Sequence, residues 1–218
     1  GQNQQVFAGT NEGFNEVWWF YCSANSTVVN RYVVYNYLEN IWYYGTLGRT
    51  AWVDSGLRDK PVAATYSKNL VNQEDGVDDE ETGDTQPVVA YIESAEFDIE
   101  DGHKFGFVWR ILPDVTFEGS TVQAPSAKMT LIPMANSGSG FNSPRSVGGT
   151  DNARVTRTAV IPIEAYSGDT AFERNVTPGQ VYVRVRGRQM ILRMESDTLG
   201  TMWQLGAPRI DVRVDGRR

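Results

Sequence analysis

The chain has 218 residues, of which 40% are hydrophobic and 22% charged, which suits one large or two small globular domains. A single cysteine and a single histidine exclude both an intrachain disulfide framework and a structural Cys/His zinc site within the chain. The net charge of −7 argues against a general DNA-binding protein, because such proteins draw their affinity from basic surface. No apolar run reaches the roughly 18 residues of a membrane span, so we expect no membrane segment.

The first part of the chain predicts an antiparallel meander. Aromatic and β-branched runs lie at 17–22, 31–37 and 41–45, and residues 6–9 fit an edge strand before them. Such runs, bounded by Asn, Ser and Gly, are typical of strands. The segment 60–67 fits the first strand of a second, smaller blade. A meander that ends in an aromatic strand is typical of a β-propeller blade, which buries its faces only against neighbours.

The most acidic segment follows this meander. Carboxylates occupy seven of the eleven positions from 74 to 84. We expect a solvated, self-repelling loop. A calcium loop is the sharper alternative, but the EF-hand spacing is absent and no flanking helices are expected. The seven residues are Glu74, Asp75, Asp78, Asp79, Glu80, Glu81 and Asp84.

From Val88 onward the pattern predicts a second β region. A long strand at 103–117 is expected to place Phe105, Phe107, Trp109 and Ile111 on one face. Further strands are predicted at 127–134, 154–163, 180–187, 189–195, 202–205 and 210–214. Regular turn signals without a helical period predict a β-sandwich or jelly roll.

The sequence therefore predicts an all-β protein with two regions. Residues 1–87 form a propeller-blade-like meander region, and residues 88–218 form a β-sandwich. The Gly-, Ser- and Asn-rich tract at 136–152 predicts a flexible loop or an insertion.

Catalytic signals are weak. His103 sits beside a turn, and no nucleophile elbow accompanies it. Asp98, Glu100 and Asp101 offer carboxylates of the kind that glycosidases pair, but acidic hairpin ends are common in solvated β proteins. We therefore expect no enzyme, no metal site and no cofactor.

Contact surfaces are better indicated than catalytic ones. Side chains alternate along a strand, so Trp18 and Trp19 must point to opposite sides. We predict that one ring of such a pair contacts a neighbouring blade or another chain, with a sugar-stacking platform as the alternative. The predicted contact residues are Trp18, Trp19, Trp42 and Trp52, together with Arg184, Arg186, Arg188 and Arg193.

The four arginines are expected to cluster on two neighbouring strands. Residues 1–150 carry 9 basic and 19 acidic side chains, whereas residues 151–218 carry 11 basic and 8 acidic. This asymmetry favours electrostatically matched contacts between copies or with another protein. A nucleic-acid groove is the alternative interpretation of the arginines.

Three stretches carry a resemblance to a known family. They are the meander RYVVYNYLENIWYYGTLGRTAW, the hairpin YIESAEFDIEDGHKFGFVWRILPDVTFEGST, and the ending that starts VYVRVRGRQMILRMES and closes PRIDVRVDGRR. Together they resemble structural tail proteins of short-tailed bacteriophages, the nozzle or hub proteins of the packaged-DNA stabilisation type. The ending is the most distinctive part.

The resemblance implies a β-propeller with appended β-sandwich elements, and no catalytic residue. It also implies a ring of copies, typically a hexamer, that contacts adjacent tail or adaptor proteins. Such a ring channels DNA and helps to retain the packaged genome. The protein would then belong to the virion tail, assembled in the host cytoplasm. One blade is too few for a closed propeller, so residues 1–87 are expected to be the C-terminal part of a longer propeller.

A tube that conducts DNA should not hold it, because basic walls bind phosphates. We therefore expect the seven acidic residues at 74–84 to face the lumen, and the arginines to lie at contacts between subunits or with the adaptor. The alternative function is a carbohydrate- or receptor-binding β module of a tail fibre or spike.

Overall fold

The computed structural model describes residues 5–98, 103–134, 159–164 and 180–216, and only the backbone of 159–164. The described chain is all-β, with antiparallel sheets, none of which closes on itself, and one 3-10 turn at Glu12–Phe14. No helix in these ranges is long and apolar enough to cross a membrane. The predicted loop at 136–152 and most of the predicted strand at 154–163 lie outside the described residues.

The chain divides into two compact units. Unit 1 comprises Gly1–Gly76 and Glu80–Asp84, and unit 2 comprises Val77–Asp79 and Thr85–Arg218. Each unit has its own hydrophobic core.

Unit 1 is built on a four-stranded sheet in which consecutive strands pair in chain order. Its strands are β1 (Phe7–Asn11), β2 (Glu16–Tyr21), β3 (Arg31–Asn36) and β4 (Ile41–Gly45). The predicted three-stranded meander is confirmed, and β1 adds the predicted edge strand. Asn15 and Asn40 adopt left-handed backbone angles at the β1–β2 and β3–β4 turns, which asparagine tolerates better than most residues.

A three-stranded sheet completes unit 1. It contains β5 (Ala51–Val53), β6 (Val62–Ala64) and β7 (Leu70–Asn72), in that order. Trp52 of β5 crosses β1, where its Nε1 donates a hydrogen bond to the carbonyl oxygen of Thr10 at 2.8 Å. A Cβ atom at Gly9 would come within 2.3 Å of the Trp52 ring, so this crossing requires glycine.

Unit 2 contains two larger sheets and two short strand pairs. The first sheet has the order β10-β17-β14-β15, with β11 also paired to β17. Its strands are β10 (Ala90–Glu93), β11 (Phe97–Asp98), β14 (Ser126–Met134), β15 (Ala159–Glu164) and β17 (Gln189–Ser196).

The second sheet has the order β16-β12-β19. It consists of β12 (Gly106–Leu112), β16 (Val181–Gly187) and β19 (Arg209–Val214). The short pairs are β8 (Asp78–Asp79) with β9 (Gln86–Pro87), and β13 (Val115–Thr116) with β18 (Gln204–Leu205).

The two larger sheets of unit 2 share one hydrophobic core. Val108 and Ile111 of β12 lie in the same buried cluster as Met129 and Leu131 of β14 and Met194 of β17. All five side chains are fully buried. The alternating apolar residues that predicted strands in the sequence therefore also supply the core.

One sequence expectation about this region is wrong. Ile111 was expected to share a face with Phe107 and Trp109, but it lies in the core with Val108. The pairing of β12 with both neighbours shifts between Val108 and Arg110, which is a β-bulge. A bulge inserts one extra residue, so the inside–outside alternation changes phase after Trp109.

Candidate functional site

The four-stranded sheet of unit 1 separates its aromatic residues onto two faces. Trp18 is 6% exposed and stacks on Trp52, with ring centroids 5.1 Å apart. Both rings pack in the unit 1 core around Phe20 and Val34. Trp18 and Trp52 were predicted as contact residues, and the structure instead places them inside unit 1.

The opposite side of the same sheet carries an aromatic face, defined by Trp19, Tyr35, Trp42 and Tyr44. Trp42 stacks on Tyr35 at 4.5 Å and on Trp19 at 5.7 Å between ring centroids. Trp42 remains 62% exposed and Tyr44 71% exposed. Trp19, Trp42 and Tyr35 thus form one stacked layer, Tyr44 stands on the same face, and the outer surface meets solvent.

The register of the strands explains this layer. Tyr35 of β3 lies directly opposite Trp42 of β4, and Val33 lies between Trp19 and Tyr44 in the next row. Neighbouring side chains on one face of antiparallel strands lie close enough for ring contact. Trp42 and Tyr44 stand on β4, which has no strand partner on its outer side among the described residues.

A buried carboxylate anchors the inner side of this sheet. Glu16 is 7% exposed, and it accepts hydrogen bonds from Trp18 Nε1 at 2.9 Å and from Tyr43 Oη. Burial and the hydrogen bond to Glu16 raise the pKa of Tyr43 far above its ordinary value. Desolvation by surrounding protein atoms, followed by the negative charge of Glu16, raises the pKa of Glu74. Glu16 was not among the residues predicted from the sequence, where the only indication of its role was a charge at the start of an apolar strand.

Several residues of the acidic segment are already engaged within their own unit. Glu81 forms an ion pair with Arg49 at 2.7 Å in unit 1. Asp75 pairs with Lys60, also in unit 1. In unit 2, Asp78 accepts a hydrogen bond from the backbone N–H of Gly200 at 2.8 Å. These three carboxylates therefore contribute less to an acidic surface than the sequence suggested.

The other four carboxylates of the acidic segment are all exposed: Glu74, Asp79, Glu80 and Asp84. No group of three or more His, Cys, Asp or Glu side chains in the described ranges is arranged to hold a metal ion.

The four predicted arginines do not form one cluster on paired strands. Arg184 and Arg186 lie on β16 and Arg193 lies on β17, and these strands belong to different sheets. Arg193 is bound by Glu195 at 2.7 Å and by Glu93 at 3.1 Å. Its guanidinium also lies 4.1 Å from the centroid of the Tyr91 ring. β16 and β17 follow each other in sequence but do not pair, because the tight turn between them carries the chain from one sheet into the other.

The β16-β12-β19 sheet has an outer face of arginines and aromatic rings, which we call the arginine–aromatic face. The bulge in β12 brings both Trp109 and Arg110 to this face. Its arginines are Arg110, Arg184, Arg186, Arg188, Arg209 and Arg213, and its rings are Phe105, Phe107, Trp109 and Tyr182.

The residues considered for catalysis form no comparable cluster of side chains in the part of the chain that the structure describes. Asp98 accepts a hydrogen bond from Gln189 Nε2 at 2.8 Å, and His103 is exposed. Glu100 and Asp101 lie outside the described residues. The absence of an enzymatic activity stays a prediction.

The chain matches no known protein-family model and no curated protein. Its function is therefore inferred from the geometry of the two faces and from the residues of the sequence itself.

Proposed function

We propose that this chain is a virion structural protein of a bacteriophage tail, a nozzle or hub subunit in a ring that channels DNA and helps retain the packaged genome. The observation that carries the proposal is the aromatic face beside the open β4 edge. A surface of this kind calls for a protein neighbour. The choice of a tail ring as the assembly comes from the resemblance to nozzle proteins, which residues 31–52, 91–121 and 181–218 carry.

The aromatic face suits contact between copies. Aromatic rings bury large apolar areas with few rotatable bonds, and they are enriched at protein interfaces. Trp42 and Tyr44 are both large, more than half exposed, and on one edge strand. A neighbouring sheet that packs on this face would remove the apolar rings from water, and a strand of the same neighbour beside β4 would pair the open edge.

The finer architecture is part of the same proposal. Unit 1 represents the C-terminal portion of a β-propeller, with β1 to β4 as one blade. Unit 2 represents the appended β-sandwich, because its two larger sheets share a core. A blade that lacks its neighbours would expose the kind of aromatic layer that β4 carries.

Fewer carboxylates are available to repel DNA than the sequence indicated. The repulsion that keeps DNA from adhering to a conduit falls mainly to the exposed carboxylates, such as Glu80 and Asp84. Asp75, Asp78 and Glu81 serve mainly to hold their own units together. Trp19 and Trp42 remain the proposed contact residues, whereas Trp18 and Trp52 serve the core.

A carbohydrate-binding module is the second candidate, because exposed tryptophan and tyrosine rings also stack on sugars. The geometry favours it less. Trp42 presents ring surface to Trp19 and Tyr35, so these rings form a layer rather than the walls of a groove.

The test is self-association of the purified chain, measured by size-exclusion chromatography with light scattering. We expect a ring-sized oligomer that the double variant Trp42→Ser/Tyr44→Ser dissociates. Tyr91→Ser is the matched control, since Tyr91 is 51% exposed and lies on β10 of unit 2, away from the aromatic face. A chain that is monomeric at all concentrations contradicts the proposal, and so does glycan-array binding that the double variant abolishes.

A further inference from the structure

The arginine–aromatic face lies on the side of its sheet opposite the core. Val181 and Val185 of β16 and Ile210 of β19 point into the core cluster of unit 2. The alternate positions on these strands, such as Tyr182, Arg184 and Arg186, are exposed. None of Phe105, Phe107 and Trp109 belongs to a core cluster. These three rings are partly buried and lie on the outer side of the sheet.

Four of the six arginines of this face contact its rings. The guanidinium of Arg186 lies 4.1 Å from the Phe105 centroid, and that of Arg188 lies 4.9 Å from it. Arg213 lies 5.2 Å from the Trp109 centroid. A cation–π contact helps to fix a guanidinium, whereas an ion pair neutralises it.

The face keeps a net positive charge. Asp211 pairs with Arg110, and Asp215 pairs with Arg186. Arg184 makes no ion pair with any described residue, and Arg213 contacts a ring instead of a carboxylate. Arg213 is ordered by its ring and not neutralised, which suits it to a polyanion because little conformational entropy is lost on binding, and Arg184 adds a further charge that is not neutralised.

A ring platform stands among these charges. Tyr182 is 67% exposed, and it stacks on Trp109 with ring centroids 6.2 Å apart and planes inclined by 27°. Trp109 supports one side of Tyr182, so a further flat ring can continue the stack on the open side. In the neighbouring row, Phe107 lies directly between Arg186 and Arg213.

We propose that the arginine–aromatic face binds single-stranded nucleic acid, with Tyr182 stacking a base and Arg184 and Arg213 holding phosphates. Rings that alternate with arginines across an open antiparallel sheet match a ligand that alternates flat bases with negative charges. An acidic protein segment would use the arginines but leave the exposed Tyr182 ring without a stacking partner. This inference goes beyond the proposed function, and it does not depend on ring assembly.

The experiment measures fluorescence anisotropy of a labelled oligothymidine of about 12 nucleotides with the purified full chain in about 50 mM salt. We expect saturable binding that weakens with added salt. Tyr182→Ala should weaken it by about 5- to 100-fold, the loss of one stacked base. Arg184→Gln should lower the steepness of the salt dependence by about 0.7 in a double-logarithmic plot, the loss of one phosphate contact.

Two matched controls isolate the face. Tyr91→Ala removes an exposed tyrosine from the other large sheet of unit 2 and should leave the affinity unchanged. Tyr182→Phe keeps the ring and should retain binding. Circular dichroism melting of each variant separates loss of binding from loss of folding. Arg184→Gln tests the phosphate contact without altering the Trp109–Tyr182 stack.

Three results overturn the inference. The first is no binding of the oligothymidine. The second is a duplex of the same length that binds as tightly as the single strand, since paired bases offer no free face to Tyr182. The third is displacement of the oligonucleotide by polyglutamate at lower concentration than by unlabelled oligothymidine, which would assign the face to an acidic protein.

Discussion

Arg49 Nη1 lies 2.7 Å from Glu81 Oε2, and the arginine side chain is 6% exposed. Arg49 also donates to the carbonyl oxygen of Gly48 at 2.9 Å, and Glu81 accepts from Ser67 Oγ at 3.1 Å. A carboxylate in the middle of the most acidic segment is thus the counter-ion of a buried cation in unit 1. Local composition predicts charge density, but it does not predict which charged side chains form ion pairs in the folded chain.

Arg49→Met should lower the free energy of unfolding of unit 1 by about 3 kcal/mol, because Glu81 would keep its charge in a largely buried place without a partner. Urea unfolding followed by tryptophan fluorescence reports mainly on unit 1, which holds four of the six tryptophans. The double variant Arg49→Met/Glu81→Leu should recover much of the loss. A single variant as stable as the parent chain would show that the pair contributes nothing to unit 1.

Lys60→Met is the matched control for that experiment. Its pair with Asp75 is exposed on both sides and competes with water and salt. We expect its unfolding midpoint to equal that of the parent chain.

Glu74→Gln should stabilise unit 1 at neutral pH but not near pH 3. Desolvation, followed by the charge of Glu16, raises the pKa of Glu74 in the folded chain. Between the ordinary carboxyl pKa and this raised value the folded state binds more protons than the unfolded state, so stability falls as pH rises through the interval. Urea midpoints at about pH 3 and pH 7 measure the difference, and Glu80→Gln, which removes another exposed carboxylate of the same acidic segment, serves as control. An equal effect of Glu74→Gln at both pH values would refute the assignment.

Tyr43→Phe should cost about 2 kcal/mol of stability, because it removes a hydrogen-bond donor from the buried Glu16 carboxylate. Tyr44→Phe, one residue later on the exposed side of β4, should leave the unfolding free energy unchanged. The pair of variants is compared by urea unfolding at pH 7. Equal losses in both variants would contradict the structural role given to Glu16.

The sequence was sufficient to predict the β-meander of unit 1 and the opposite directions of Trp18 and Trp19, because both follow from local alternation. It did not predict the phase change in β12, because a bulge after Val108 leaves no mark in the hydrophobic pattern. It also placed Arg193 beside Arg186, since pairing between distant strands is not encoded in a local window. The two faces proposed to bind partners depend on these non-local facts.

The most direct test of the central claim is a cryo-electron microscopy reconstruction of phage particles that carry this chain. The account predicts a closed ring of copies below the portal and adaptor, with Trp19, Trp42 and Tyr44 of each copy buried against protein. Absence of the chain from purified particles, or its location in a peripheral fibre with the aromatic face open to solvent, would contradict it.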